Sequence, residues 1–325
     1  MNNIGFPGFN IGPFEINPIA FSLFGRDIAW YGIFVTLGIL CGIFYSFWRG
    51  QKNNGIVVDD MIDVAIFSIP AAIIGARLYY VIFAFDQFDS FYRIVAIWEG
   101  GLAVYGGIIV GFLTAFLVCK FKKISFLSVF DSTAPAIMLG QIIGRWGNFT
   151  NMEAYGAKTD VLWRMSIERH EILYSGQNYV RYIEVHPTFL YESIWNLIGF
   201  IIINLLYKKK KFDGQIFLMY ITWYGLGRMF IEGFRVDSLY LGSFRISQVV
   251  GILCVIAGIA LFIFLLSKFK TQKLEGEAYE GVYAKVKAKL PKENDNDNDD
   301  DEISEKAIEN DEENENEESD EDEEQ

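Results

Sequence analysis

Gly144-Arg145-Trp146-Gly147-Asn148-Phe149-Thr150-Asn151-Met152-Glu153-Ala154-Tyr155-Gly156 closes an apolar run that begins at Ala134. An arginine, two carboxamides and a carboxylate therefore gather where a hydrophobic helix reaches the membrane surface. Charge at membrane depth is costly unless it lines a wet cavity or meets a partner, so its first reading is functional. The rest of the chain is organised by what else arrives at that depth.

Composition sets the class. Of the 325 residues 52% are hydrophobic and 16% aromatic, and the apolar residues fall in long runs, as in a polytopic membrane protein and not a soluble domain. The formal charge of −13 is carried by the end of the chain: residues 292–325 hold 20 acids against Lys292 and Lys306, and the remainder is mildly basic at about +5. Cys41, Cys119 and Cys254 each lie inside an apolar run, where a thiol behaves as a small buried hydrophobe.

Seven runs are long enough to cross, near 28–48, 61–85, 102–120, 128–147, 188–207, 214–233 and 246–267. Each has about 20 residues, which at about 1.5 Å per residue spans a hydrocarbon core of about 30 Å. The fold class expected is an all-α polytopic integral membrane protein with about seven transmembrane helices.

Lysine and arginine orient it. The connections after the first, third, fifth and seventh spans carry Arg49 and Lys52, then Lys120, Lys122 and Lys123, then Lys208 to Lys211, then Lys268, Lys270 and Lys273. Those after spans two and six have no lysine. The positive-inside bias then puts the N-terminus outside and the C-terminus in the cytoplasm.

With that orientation one polar cluster faces the outer leaflet. Tyr31 lies at the outer end of span one, Arg77 in the outer half of span two, and Tyr105 among Gly100, Gly101, Gly106 and Gly107 at the start of span three. Arg145 and Asn148 close span four. His186, Tyr191 and Glu192 open span five, and Arg228, Glu232 and Arg235 finish span six. The inner halves of the same helices read as almost featureless Ile, Leu, Phe and Val. Arg77, Arg145, Arg228 and Arg235 at one depth make an anion site suited to bidentate contact with phosphate, unless Glu153, Glu192 and Glu232 neutralise them in a structural network. Gly140 and Gly144, with Gly106, Gly107 and Gly111, permit close helix contact that would draw Tyr105 toward Arg145.

The segments outside the spans read as follows. Residues 1–27 lack a basic leader and suit a stretch lying along the interface. The long connection of about 149–187 forms an extracytoplasmic head, with a hairpin of Val161–Ile167 and Tyr179–Val185 around Ser175-Gly176-Gln177-Asn178. His170 there is incidental. His186, by contrast, precedes Pro187 at the mouth of the cluster, where a neutral imidazole can orient a group or accept a proton. Residues 268–291 make a cytoplasmic linker with a short helix over 276–290, and 292–325 a disordered acidic tail.

Gly144 to Glu153 resembles the signature of bacterial prolipoprotein diacylglyceryl transferases, and His186-Pro187-Thr188-Phe189-Leu190-Tyr191-Glu192 looks like that family's second motif. Trp30-Tyr31-Gly32, Gly75-Ala76-Arg77-Leu78, the glycines around Tyr105 and Ile231 to Ser238 match in the same order, so the resemblance covers about residues 15–267. It implies an enzyme of the bacterial plasma membrane. Such an enzyme moves the diacylglyceryl group of phosphatidylglycerol onto the lipobox cysteine thiol of a prolipoprotein signal peptide and releases glycerol phosphate. It also implies catalytic roles for Arg145, Arg235, His186 and Tyr105, and phosphatidylglycerol contacts for Arg145, Asn148, Glu153, Tyr31, Arg77, Tyr191 and Glu192.

One departure matters. Many members carry histidine where this chain has Tyr105, and a phenol, ordinarily near pKa 10, is a poor base at neutral pH. Tyr105 is then a hydrogen-bond donor, or arginines activate it, or the base lies elsewhere. A transporter would need polar residues along a route to the inner side, and a head-group receptor would bind the lipid without consuming it. The sequence has no metal-ligand cluster or nucleotide motif, so no cofactor and no nucleic-acid partner are expected; the partners are the two substrates and the bilayer.

Overall fold

The computed structural model describes residues 2–172 and 178–274. The expected short helix over 276–290, the acidic tail and most of the hairpin turn lie outside the described residues.

The long helices are α1 (Trp30–Asn54), α2 (Val58–Phe83), α4 (Val104–Lys122), α5 (Phe126–Thr150), α6 (Thr188–Tyr207), α7 (Gln215–Ile231) and α8 (Ile246–Leu274), with a short α3 (Phe91–Val95) between α2 and α4. All but α3 and α7 are long and apolar enough to cross a membrane. The expected span at 214–233 is α7, which at 17 residues is the shortest of the long helices and continues through a 3₁₀ turn at Glu232–Phe234. The protein is a mostly helical, multi-pass membrane protein.

Small residues decide which helices pair. α1 lies antiparallel on α5, with Gly38 against Gly140 and Gly42 against Ala136. α2 lies on α4, where Gly106 meets Gly75, and Gly107 and Gly111 meet Ala72. The two glycine rows expected to face each other therefore find different partners: Gly140 packs on α1, and Gly144 meets open space. The small residues of α1 and α2 supply the complementary grooves instead. Between α6 and α7, Trp195 and Trp223 stack with centroids 4.4 Å apart, and each indole N–H donates to the other's carbonyl at 3.0 Å.

At one end of the helices sits a head. β5 (Met165–Ile172) and β6 (Asn178–Val185) form the expected hairpin, in register Met165↔Val185 and Ile167↔Ile183. Its first strand starts four residues later than the alternation indicated. The N-terminal residues do not merely run along a surface: β1 (Asn2–Phe6) and β2 (Ile11–Ile16) extend the hairpin into a sheet of order β2-β1-β5-β6. Ile4, Met165, Ile167 and Val185 are buried beneath it with Phe189 of α6. β3 (Ile19–Leu23) pairs with β4 (Arg26–Ala29) just before α1, and β7 (Tyr240–Leu241) pairs with β8 (Phe244–Arg245) just before α8.

The opposite end is not featureless. Asp131, fully buried in α5, accepts from the backbone N–H of Gly214 at 2.8 Å and of Phe217 at 3.0 Å, capping α7, and pairs with Lys210 at 3.0 Å. Lys210 also reaches Asp213 at 3.1 Å and Asn54 at 3.2 Å. Nearby, Arg49 stacks on Trp48 and Tyr207 and bonds Asn204. These groups satisfy one another, as burial demands.

Candidate functional site

α5 delivers Arg145 and Asn148 one turn apart on the head side. After α5 the chain turns sharply: Met152 (φ +50) and Ala154 (φ +54) both take the left-handed conformation that side chains disfavour. Between them Glu153 folds back, its backbone N–H on Asn148 O at 3.0 Å and its Oε1 accepting from Asn148 Nδ2 at 2.9 Å. Asn148 Oδ1 in turn accepts from Arg145 Nη1 at 3.0 Å. The carboxylate, the carboxamide and the guanidinium form one chain of hydrogen bonds.

The turn then threads between two other segments. Gly156 N–H donates to His186 O at 2.9 Å and Ala157 N–H to Phe234 O at 2.7 Å, so His186 and Arg235 are held on either side of residues 156–157. A Cβ at Gly156 would collide with the His186 Cβ at 2.6 Å. Glycine is required there by close approach.

The centre of the site is Glu192, on α6 and 7% exposed. Its Oε2 pairs with Arg145 Nη2, and its Oε1 lies 3.5 Å from Arg228 Nη1 and 3.4 Å from Arg235 Nη1. One carboxylate thus gathers guanidiniums from α5, α7 and the segment after α7. Arg228 also pairs with Glu232 at 2.6 Å, and Arg235 grips Asp237 through two bonds of 3.0 and 2.9 Å. Those bonds hold the Asp237 carboxyl below its ordinary range, and Asp237 with Glu192 keeps Arg235 charged against the cost of burial. Arg145 differs: its side chain is the most exposed of the three at 25%.

Tyr31, in the first turn of α1, packs across Gly147 of α5. Tyr105 makes no hydrogen bond among the described residues. It stands in the first turn of α4. Tyr191 Oη accepts from Trp163 Nε1 at 2.7 Å and lies 2.9 Å from His186 Nδ1.

Arg77 is elsewhere. Its guanidinium donates to the carbonyls of Ile94 at 2.8 Å, Gly100 at 2.5 Å, Gly101 at 3.0 Å and Arg93, tying down the connection between α2 and α4. Of the four arginines that share a depth in the sequence, three meet through Glu192 and the fourth serves a loop. The sequence reading placed Arg228 among the anion-site arginines and Glu232 among the carboxylates that could neutralise them without pairing the two, and it treated Trp163 as strand. An i, i+4 spacing marked the first two; no local signal marks a tryptophan whose partner is 28 residues away.

Chemically, the cluster offers guanidinium donors already oriented by carboxylates, in a site that also holds an imidazole and a phenol. Guanidinium groups held in this way suit bidentate contact with an anion such as a phosphate.

Comparison with known proteins points the same way. Residues 18–264 match the profile of the family described as prolipoprotein diacylglyceryl transferase. A Finegoldia magna protein named phosphatidylglycerol–prolipoprotein diacylglyceryl transferase is 43% identical over 261 residues, covering 80% of this chain and 98% of its own length. Like-named proteins of Lactobacillus delbrueckii subsp. bulgaricus and Clostridioides difficile are 41% identical over 273 residues and 42% identical over 253 residues. They cover 82% and 78% of this chain, and 98% and 96% of themselves.

Proposed function

The chain belongs to the prolipoprotein diacylglyceryl transferase family, and from that premise we propose that it moves the diacylglyceryl group of phosphatidylglycerol onto the lipobox cysteine of prolipoproteins. The observation that carries the reading is the gathering of Arg145, Arg228 and Arg235 on the single carboxylate of Glu192. The thiolate sulfur attacks the terminal glycerol carbon of the diacylglyceryl group; the C–S bond forms, the C–O bond to phosphate breaks, and glycerol phosphate leaves with the electron pair.

Negative charge grows on the phosphate oxygens in that step, so donors aimed there lower the barrier. Arg145 and Arg235 take this role, with Asn148 and Glu153 setting the orientation of Arg145. Tyr31 and Tyr105 supply hydrogen bonds to the head group, and His186, held by Tyr191, stands at its edge. Lysine and arginine distribution supports a head outside the bacterial plasma membrane, an N-terminus on that side and a cytoplasmic C-terminus. There a translocated signal peptide meets a phospholipid still in its leaflet.

Purified protein in detergent, given phosphatidylglycerol and a synthetic lipobox peptide, is expected to raise the peptide mass by one diacylglyceryl group. A Cys→Ser peptide stays unmodified. Folded protein that bound the lipid and left the cysteine peptide untouched would be a head-group receptor instead.

Arg77 has a scaffold role in this account. Arg77→Ala orphans four carbonyls and is expected to cost about 1–3 kcal/mol of stability. The KM for phosphatidylglycerol should change by less than about threefold. A large rise in KM with unaltered unfolding would return Arg77 to the lipid site.

A further inference from the structure

Beside the arginine cluster, Trp163, Tyr191 and His186 form a hydrogen-bonded series with a direction. Trp163, in the turn before β5, donates to Tyr191 Oη, and the same oxygen lies 2.9 Å from His186 Nδ1. An indole N–H only donates. The phenol oxygen is therefore an acceptor on its tryptophan side and has its own proton to give. Among the described residues, His186 Nδ1 is the acceptor that hydroxyl meets.

The reverse direction is worse. If Nδ1–H donated, it would enter an oxygen already accepting from Trp163, and the proton of the half-buried phenol would find no protein acceptor among the described residues. His186 lies against Phe234, with ring centroids 4.9 Å apart, and burial lowers its pKa from the ordinary histidine value. The ring is neutral at neutral pH and carries one N–H. With Nδ1 accepting, that N–H is on Nε2, which has no hydrogen-bond partner among the described residues.

We propose that Trp163 is a positioning residue that, through Tyr191, fixes His186 as the Nε2–H tautomer, so that His186 presents a hydrogen-bond donor to an oxygen of the phospholipid head group. The identity of that acceptor rests on the transferase reading; the direction of the series does not. In this state Nε2 of His186 has no lone pair for the thiol proton, which moves His186 from base to donor.

The test is nitrogen-15 NMR of the full chain in lipid bilayers with labelled histidine. The chain has two histidines, so His170→Asn assigns the signals. The expected spectrum shows an unprotonated, hydrogen-bonded Nδ1 and a protonated Nε2, and Trp163→Phe and Tyr191→Phe each shift the Nδ1 signal. An Nδ1–H signature in the wild type, or variant spectra superimposable on it, overturns the proposal. In the transfer assay His186→Gln, whose amide N–H reaches the Nε2 position, is expected to run at least about tenfold faster than His186→Ala. Equal rates overturn the donor role. The spectra need no substrate, so a protein with the expected tautomer and no transfer would refute the transferase reading alone.

Discussion

Arg145→Ala is expected to lower kcat/KM for diacylglyceryl transfer by about 100- to 1,000-fold, the loss that follows removal of one preorganised donor to developing charge. The fold should survive, and the reason is specific. Without Arg145 the buried Glu192 carboxylate still faces Arg228 at 3.5 Å and Arg235 at 3.4 Å, so no charge is stranded. Glu153 and Asn148 lose the group they orient and keep each other. Arg145→Lys restores the charge without the planar fork, and its rate should fall between the two. Initial rates beside circular dichroism and unfolding midpoints check this. An alanine variant within about tenfold of wild type would remove Arg145 from the phosphate role.

The second large effect lies at the other end of the same helix. Asp131 is 14 residues from Arg145, about 21 Å at the rise of a helix. Asp131→Ala leaves the Lys210 ammonium without its buried partner and two N–H groups of the α7 N-terminus uncapped. Breaking one half of a buried pair costs about 3–5 kcal/mol, so the variant should unfold far more readily in detergent. Burial works against the charge on Lys210, but Asp131 and Asp213 outweigh it and its pKa is raised. A raised lysine contributes stability that is complete below its ordinary value and disappears only as the pH climbs through the raised one. The lysine therefore stays charged throughout neutral pH. Transfer per folded molecule should be close to wild type, because the cluster at Glu192 is untouched. An alanine variant as stable as wild type would mean that the node holds nothing together.

These two residues also mark what the sequence can and cannot say. Hydropathy and lysine placement locate a side chain along the membrane normal, which is why the helices, the hairpin of β5 and β6 and the depth of Arg145, Arg228 and Arg235 were legible. Depth carries no azimuth. Arg77 sits at the depth of the other arginines and turns to the carbonyls of residues 93–101. Likewise Gly140 had an apparent partner row in Gly106, Gly107 and Gly111, yet it packs on Gly38.

Asp131 could have been found: it is the one carboxylate within residues 126–150, and an acid in an apolar run needs a partner. The joining of β1 to β5 could not, because Ile4 and Ile167 are paired by tertiary folding across most of the helices. The gathering role of Glu192 is of the same kind. Its motif shows a carboxylate after a tyrosine, and only the packing of α5, α6 and α7 brings three arginines to it.

The most direct measurement follows both products from one substrate. Phosphatidylglycerol labelled in its head group is incubated with the protein and a lipobox peptide, and released glycerol phosphate is counted against peptide alkylated at cysteine. The account predicts equal amounts at every time point, with both falling together in Arg145→Ala. Head group released without alkylated peptide, or lipid bound with neither product formed, would contradict it.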